Sequence, residues 1–243
     1  MSKILITGGN GFIGHELIKK LTKIGHEIVS LDILPPKKIN KKIIYHAGSI
    51  LNRYDLDAAM KDCDVVFHFA AMVGVALTEK KRLECLEINI QGTKTVLEAV
   101  VRQKLKKIIF SSSSEVYGDQ EIIPINENAD LKPKSNYGIT KLVGEEYIKA
   151  FSKFYKFSFN IVRFFNLYGG TQRNDFVIPI FKNIIQNNKT INIYGEGNQI
   201  RSYCHINDAV SGIVKVLEKG KKQQTYNIGN NNEPISVKEL ANK

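Results

Sequence analysis

Short apolar runs alternate with stretches of helical periodicity along the first two thirds of this chain. Apolar runs of this kind are typical of buried parallel strands, whereas apolar residues at every third or fourth position are typical of amphipathic helices. We predict strands at residues 4–6, 27–32, 43–46, 64–71, 107–110 and 159–164. Helices are predicted between them, at residues 12–24, up to about residue 61, and at 80–103 and 137–155. The alternation predicts an α/β fold with a doubly wound parallel sheet.

The helix predicted at residues 137–155 carries two different faces. Its apolar stripe consists of Val143, Tyr147, Phe151 and Phe154. Tyr137 and Lys141 are four residues apart, so they share a face of the helix. That face lies about a quarter turn or more from the stripe, given about 3.6 residues per turn. We therefore expect the helix to pack through its stripe while Tyr137 and Lys141 face a cleft.

The alternation weakens beyond about residue 166. In this part we predict helices at residues 176–187 and 207–219, short strands at 191–194 and 226–229, and a last helix from residue 237. We interpret this region as a smaller lobe over a ligand cleft. The predicted division is a sheet domain at residues 1–165 and a substrate lobe at residues 166–243.

Composition excludes several classes of protein. No apolar run approaches the roughly 20 residues of a membrane span, and the opening residues lead directly into the first strand, so we expect neither a membrane partner nor a signal peptide. The three cysteines show no metal-ligand spacing, so we predict no metal and a cytoplasmic location. The net charge of +11 raises the alternative of a nucleic-acid or regulatory binder, but the lysines are spread along the whole chain. We therefore expect no nucleic-acid partner.

A glycine cluster follows the first strand and opens the first helix. Gly8, Gly9, Gly11 and Gly14 satisfy both G-x-G-x-x-G and G-x-x-G-x-x-G. Glycines at such a turn let the backbone approach a pyrophosphate, which rests on the N–H groups of the helix start. The strand, turn and helix together predict dinucleotide binding; the alternative is a glycine-rich turn that binds nothing.

The second strand ends in Asp32, a little under 20 residues after the glycine turn. A carboxylate there accepts hydrogen bonds from an adenosine ribose and repels a 2′-phosphate, so we predict NAD rather than NADP. The alternative is a turn acid or helix cap. His68 sits inside an apolar strand, and we interpret it as a core histidine rather than a catalytic one.

A polar run, Ser111 to Glu115, follows the fifth strand, at the edge where parallel sheets bind ligands. Tyr137 and Lys141 suggest a general base, because an ammonium one turn away and a nicotinamide cation would lower the pKa of the phenol. Such a tyrosine accepts the proton of a substrate hydroxyl while the cofactor oxidises the carbon, and Ser113 binds the same hydroxyl. By itself, this pair is common in helices that have no catalytic role.

The ordered motifs resemble the extended short-chain dehydrogenase/reductase family, in its NAD-dependent nucleotide-sugar epimerase/dehydratase branch, over essentially the whole chain. The matching segments are Gly8/Gly11/Gly14, Asp32, residues 68–71, 89–93, 111–118, 137–141, 163–166, 194–197 and 201–203, and Asp208. The resemblance implies a Rossmann-type sheet and a homodimer formed through the helices around residues 89–103 and 137–155.

The resemblance also implies roles for individual residues. The implied catalytic residues are Ser113, Tyr137 and Lys141, with Glu115 as a further candidate. The implied NAD-binding residues are Gly8, Gly11, Phe12, Ile13, Gly14, Asp32, Ser49, Ile50, Phe69, Ala70, Ala71, Asn89, Ser111, Tyr137, Lys141 and Phe165. The implied residues for a nucleotide-diphosphate sugar are Ser113, Asn166, Val177, Tyr194 and Arg201.

The chain departs from the family pattern in three places. Ser49 stands where members have an acid near the adenine, and Ser114-Glu115 stands where sugar 4,6-dehydratases have Asp-Glu. The chain is also shorter than most members, and we expect a truncated lobe. The missing acid at Ser114 favours a nucleotide-sugar 4-epimerase with a transient 4-keto intermediate. Glu115 keeps a decarboxylase or 4,6-dehydratase as the alternative.

Overall fold

The structure is a computed structural model that describes residues 1–36, 38–193 and 195–243. Its strands are β1 (Lys3–Thr7), β2 (Glu27–Asp32), β3 (Ile43–Ala47), β4 (Val65–His68), β5 (Lys107–Ser113), β6 (Ser158–Phe164), β7 (Leu167–Tyr168), β8 (Ile200–Ser202), β9 (Cys204–His205), β10 (Gln224–Ile228) and β11 (Pro234–Ser236). Its helices are α1 (Phe12–Lys23), α2 (Arg53–Met60), α3 (Val75–Lys80), α4 (Arg82–Leu86), α5 (Gly92–Arg102), α6 (Asn136–Tyr155), α7 (Val177–Gln186), α8 (Ile206–Lys219) and α9 (Val237–Asn242).

A seven-stranded sheet forms the centre of the molecule, with the strand order β10-β6-β5-β4-β1-β2-β3. All of its neighbouring strands are parallel. The chain runs outward from β1 through β2 to β3, and then returns to β4 and continues in the opposite direction. This reversal places a crevice at the carboxyl ends of β1 and β4, the point at which such sheets bind ligands. The predicted doubly wound α/β fold is confirmed.

Apolar side chains cover both faces of the sheet. On one face, α1 and α8 bury residues such as Leu17, Leu21 and Ile213 against β1 and β6. On the other face, the buried cluster joins α2, α5 and α6 and includes Leu56 and Ile148. Burial of each such side chain contributes about 1.5–3 kcal/mol, so the two clusters fix the helices whose first turns face the crevice.

The single helix predicted at residues 80–103 is wrong in detail. The chain forms α4, then a π-helical turn at Glu87–Gln91, and then α5. The turn carries Asn89, whose side chain donates to and accepts from the backbone of Met72 at 3.0 and 2.8 Å. Thr93 also donates to the carbonyl oxygen of Asn89 at 2.6 Å. Such wide turns often occur at functional sites, and this one aims Asn89 at the loop after β4.

The predicted packing face of α6 is correct only in part: Tyr147 and Phe151 of the proposed stripe pack against the buried cluster. Phe154, a member of the proposed stripe, is 77% exposed, whereas Lys141, Glu145 and Ile148 are buried. Gly144 allows this face to approach β5, since a Cβ there would lie 2.6 Å from the Phe110 ring. The helix therefore packs through the face that carries two charged residues, both of which have partners described below.

Part of the predicted smaller lobe belongs to the main sheet. β10 pairs with β6 as the edge strand, and α8 packs against α1. The remaining strands of this region form two small sheets, β11-β8 and β7-β9. The strand predicted at residues 191–194 is wrong for residues 191–193, and Tyr194 lies outside the described residues. The boundary at residue 165 stays a prediction. None of the helices in the described segments combines the length and apolarity that crossing a bilayer requires.

Candidate active site

The glycine turn between β1 and α1 leaves no room for side chains. Gly8 has a φ of +72°, and a Cβ on it would lie 2.7 Å from the backbone nitrogen of Ala70. A Cβ on Gly14 would lie 2.2 Å from the carbonyl oxygen of Gly8. Gly11 is the N-cap of α1, and no side chain caps this end of the helix. The backbone N–H groups of Phe12 and Ile13, in the first turn, are therefore available to bind an anion.

Asp32 ends β2 directly beside this turn. Its two carboxylate oxygens accept from the backbone N–H groups of Asn10 at 3.0 Å and Leu34 at 2.9 Å. The carboxylate is therefore held at the turn and keeps lone pairs for ribose hydroxyls. An open helix start, closely packed glycines and an acid at the end of β2 fit a dinucleotide without a 2′-phosphate, which is NAD.

The other predicted NAD-binding residues follow strands of the same sheet. Ala70 donates from its backbone nitrogen to the hydroxyl of Thr7 at 3.2 Å, and Phe69 and Ala71 flank it after β4. Ser49 and Ile50 follow β3; the N–H of Ser49 donates to Asp55, and Ile50 is buried beneath Gly92. Phe165 follows β6 and donates from its backbone to Ile228. All of these residues lie at the carboxyl edge of the sheet, and their contacts with NAD stay predictions.

Lys141 lies at the centre of the predicted catalytic cluster. Its ammonium donates to the carbonyl oxygen of Ser111 at 2.8 Å, and lies 5.0 Å from the Phe110 ring centre and 5.8 Å from that of Tyr137. Burial lowers the pKa of Lys141 to about 7, while Cys85 and Glu145 act in the opposite direction. Lys141 therefore gains or loses its charge near neutral pH.

Tyr137 begins the same helix, next to the end of β5. Burial raises the pKa of Tyr137 above its ordinary value, although a hydrogen bond with Ser113 lowers it. The charges of Glu115 and Cys85 raise it further. The expected lowering of this pKa is therefore wrong for the chain by itself, because the desolvation of a phenolate outweighs the hydrogen bond.

Glu115 contacts the start of the helix that carries Tyr137. Its carboxylate accepts from the Ser135 hydroxyl at 3.1 Å, and Ser135 in turn caps α6 by accepting from the N–H of Gly138 at 3.0 Å. The Ser113 hydroxyl accepts from the N–H of Glu115 at 3.2 Å. This predicted acid is thus bound in the turn that joins β5 to α6.

His68 and Asn89 have structural partners. The two ring nitrogens of His68 are 2.9 Å from the Thr7 hydroxyl and 3.0 Å from that of Thr93, and burial lowers the pKa of His68 to about 3. The prediction of a core histidine is confirmed. Asn89 donates to Thr140 at 3.0 Å besides its bonds to Met72, so its amide links α6 to the loop after β4. A direct contact of Asn89 with NAD stays a prediction.

The predicted substrate residues lie after β6 and in the chain that follows. Asn166 is exposed, has a φ of +35°, and accepts through its carbonyl oxygen from Cys204. Val177 begins α7, and Arg201 is an exposed residue of β8 whose guanidinium donates to Ile200. Tyr194 lies outside the described residues. The contributions of these four side chains to substrate binding stay predictions.

Sequence reasoning missed two charged residues behind the catalytic cluster. Glu145 and Arg163 form a buried ion pair at 2.6 Å between α6 and β6. Two signals were present: Glu145 is four residues after Lys141, and Arg163 interrupts an apolar strand. Within residues 1–36, 38–193 and 195–243, no group of three or more histidine, cysteine, aspartate or glutamate side chains is arranged to hold a metal.

Comparisons with known proteins show what the chain is similar to. Residues 4–229 match the model of the NAD dependent epimerase/dehydratase family. A putative UDP-glucose 4-epimerase of Methanocaldococcus jannaschii is 36% identical over 98% of this chain and 79% of its own length. A dTDP-D-glucose 4,6-dehydratase of Dictyostelium discoideum is 35% identical over all of this chain and 61% of its own length.

A solved structure shares both the fold and the cofactor. The crystal structure of UDP-glucuronic acid 4-epimerase from Bacillus cereus, in complex with UDP-glucuronic acid and NAD, superimposes with a TM-score of 0.91. It is 32% identical, and the match covers 98% of this chain and 80% of that one. The similar proteins thus include both 4-epimerases and a dehydratase.

Proposed function

This chain belongs to the NAD-dependent epimerase/dehydratase family and uses NAD, and we propose that it is a nucleotide-sugar 4-epimerase. One observation carries the choice of reaction. Glu115 accepts from Ser135, the capping residue of α6, and its neighbour is Ser114 rather than a second acid. Elimination needs an acid that protonates the leaving hydroxyl and a base that reaches C5. The chain has no acid at the first position, and the carboxylate at the second is bound in a turn.

The residues of the cluster suit reversible proton transfer at one oxygen of the sugar. Tyr137 accepts the proton of the 4-hydroxyl and returns it, while Ser113 donates to the oxygen that becomes the ketone. Lys141, fixed by Ser111, supplies the positive charge that favours the phenolate. Bound NAD supplies a further positive charge and the reversible oxidation of C4.

Epimerisation also requires the sugar to present both of its faces at one site. We assign the grip on the nucleotide diphosphate to Asn166 and Arg201, since a guanidinium binds a diphosphate through paired hydrogen bonds, and we assign Val177 and Tyr194 to the rest of the substrate. These residues hold the nucleotide while the 4-keto sugar turns. In this proposal the chain after residue 165 supplies this grip, apart from α8 and β10, which belong to the main sheet and its cover.

The second candidate is a decarboxylase or 4,6-dehydratase. Glu115 favours it, because this carboxylate is exposed and lies on the turn beside Tyr137. Release of Glu115 from Ser135 would free a base near C5 of the ketone. The resemblance to a dehydratase from Dictyostelium discoideum supports the same alternative.

The mass of the product distinguishes these reactions. The purified protein is incubated with UDP-glucose and other nucleotide sugars, and the products are identified by mass spectrometry and NMR. An epimer retains the mass of the substrate, dehydration loses water, and decarboxylation of a uronic acid loses carbon dioxide. Loss of water or carbon dioxide from any substrate, without an epimer, contradicts the proposal.

Two further proposals concern assembly and location. We infer a homodimer, because α4 and α6 are neighbours and expose apolar side chains: Leu83 is 80% exposed and Ile139 is 45% exposed. Light scattering that returns the mass of one chain would contradict this.

We also infer a cytoplasmic enzyme, a location that suits Cys63, Cys85 and Cys204, which are all free and buried thiols.

A further inference from the structure

Glu145 and Arg163 form a closed ion pair inside the molecule. Glu145 is fully buried and Arg163 is 3% exposed. The guanidinium donates twice to the carboxylate, from Nε at 2.8 Å and from Nη2 at 2.6 Å. The carboxylate also accepts from the hydroxyl of Ser112 at 2.6 Å. Burial alone would lower the pKa of Arg163, but its hydrogen bonds and the charge of Glu145 raise it, so the arginine stays charged.

A buried ion pair is seldom explained by stability alone, because the desolvation of two charges offsets much of their attraction. Its position is more informative. Glu145 lies one turn after Lys141 on the buried face of α6. Ser112 lies between Ser111, which accepts from Lys141, and Ser113, which faces Tyr137. The carboxylate of Glu145 thus joins the two elements that carry the catalytic cluster.

The other end of Arg163 holds the loop after β5. Its Nη1 donates to the hydroxyl of Tyr117 at 2.8 Å and to the carbonyl oxygen of Glu127 at 3.2 Å. Tyr117 donates onward to Asn227 of β10 at 2.7 Å. One guanidinium therefore links α6, the loop at residues 119–135 and the edge of the sheet.

Charge gives the pair a second consequence. The titratable groups that face Lys141 are His68 on β4, Cys85 on α4, and Tyr137 and Glu145 on α6. Burial lowers the pKa of His68 and raises the pKa of Cys85 and Tyr137, which favours the neutral form of each. Glu145 is the carboxylate among these groups, and it is held in the ion pair with Arg163.

We propose that Glu145 and Arg163 are positioning residues: together they hold the serines of β5 against α6, and Glu145 supplies a negative charge that favours the protonated form of Lys141. The catalytic consequence rests on the proposed function of Tyr137 and Lys141. The charge consequence does not, since it concerns the resting protein. The carboxylate of Glu145 attracts the ammonium of Lys141, and the guanidinium of Arg163 weakens this attraction, so the charge on Lys141 depends on both residues.

The direct test is the titration of Lys141 in NAD-free protein labelled with [13C]lysine. The resonance is assigned by its absence from Lys141→Arg. Glu145→Gln removes the anion, so we expect the titration midpoint to fall by about one unit. The double variant Glu145→Gln/Arg163→Gln removes both charges, so we expect its midpoint to lie closer to that of the wild type than the midpoint of Glu145→Gln does. Glu146→Gln, an exposed neighbour on the same helix, is the matched control and leaves the midpoint unchanged.

A lower midpoint in Glu145→Gln that the double variant partly restores supports the proposal, because a general loosening of the structure would be greater in the double variant. A larger fall in the double variant than in Glu145→Gln, or no shift in Glu145→Gln, overturns it. Ser112→Ala keeps both charges and covers the case in which Glu145→Gln fails to fold. With this variant we expect kcat to fall about tenfold with KM unchanged, because the catalytic groups are less well positioned while substrate binding is retained. An unchanged kcat contradicts the positioning role. If the midpoints shift as expected but no nucleotide sugar is epimerised, the proposed function fails and the charge coupling stands.

Discussion

Lys141 donates from its ammonium to the backbone carbonyl oxygen of Ser111 at 2.8 Å, and this bond joins α6 to the serine-bearing end of β5. A backbone acceptor fixes the position of the ammonium without neutralising its charge. The charge therefore remains available to the neighbouring phenol of Tyr137, whose ring centre is 5.8 Å away.

Replacement of Tyr137 by Phe removes the proposed base and leaves the ring in place. We expect kcat to fall by about 10²–10⁴-fold, the usual contribution of a general acid–base group, with little change in the affinity for the nucleotide sugar. Tyr155→Phe, at the exposed end of the same helix, is the control and retains activity. Full activity of Tyr137→Phe would show that another group moves the proton.

Replacement of Gly14 by Ala closes the glycine turn. The new Cβ would lie 2.2 Å from the carbonyl oxygen of Gly8, so the turn must shift. We expect NAD binding to weaken by about tenfold or more, which corresponds to about 1.4 kcal/mol. Gly170→Ala, where no atom lies within 4 Å of the new Cβ, is the matched control. Calorimetric titration with NAD measures both, and equal affinities in the two variants would contradict this account of the turn.

The burial of Lys141 makes the free energy of unfolding depend on pH in the mildly alkaline range. Burial lowers the pKa of Lys141 from 10.5 to about 7 in the folded chain. Between these two pKa values Lys141 is protonated in the unfolded chain but largely neutral in the folded chain. The free energy of unfolding therefore rises with pH in this range, by at most about 1.4 kcal/mol per pH unit. Urea unfolding between pH 7 and about 8.5, below most cysteine and tyrosine ionisation, measures this rise. We expect Lys141→Met to show no such rise. The same pH dependence in Lys141→Met and in the wild type would contradict the lowered pKa of Lys141.

The buried, neutral His68 makes the folded chain less stable at acidic pH. Its pKa falls from 6.5 to about 3 on folding, so the unfolded chain takes up a proton first and stability is lost as pH falls through this window. We expect His68→Gln to reduce the pH slope by at most about 1.4 kcal/mol per unit. His26→Gln removes a histidine outside the core and serves as the control. An unchanged slope in His68→Gln would mean that the imidazole does not resist protonation.

The sheet was predictable because its strands are apolar runs bounded by turns, and the glycine turn after β1 identifies the crevice. Local patterns also placed Tyr137 and Lys141 on one helix face. They did not assign β10 to the sheet, because the position of an edge strand depends on β6, more than 60 residues earlier along the chain. Pairing over that separation is not encoded in a local apolar period.

The packing of α6 was predicted only in part, for a related reason. Apolar periodicity favours Phe154, but the helix buries Glu145 and Lys141, whose partners come from β5 and β6. A buried charge is acceptable only where a distant partner exists, and a single sequence does not show which residues meet. For the same reason, the raised pKa of Tyr137 in the chain without NAD was not predicted: the pattern shows its neighbour on the helix but not the depth at which the phenol lies.

The most direct test of the proposed reaction is incubation of the protein and NAD with a panel of nucleotide sugars, UDP-glucose among them, in deuterated water. A 4-epimerase returns the original hydrogen to C4, because no carbon–hydrogen bond exchanges with solvent in this reaction. We predict the 4-epimer of the sugar that the protein turns over, with unchanged mass and no deuterium on carbon, and no such product from Tyr137→Phe. A product that has lost water, or one that carries deuterium at C5 or C6, would contradict the account and assign Glu115 to elimination.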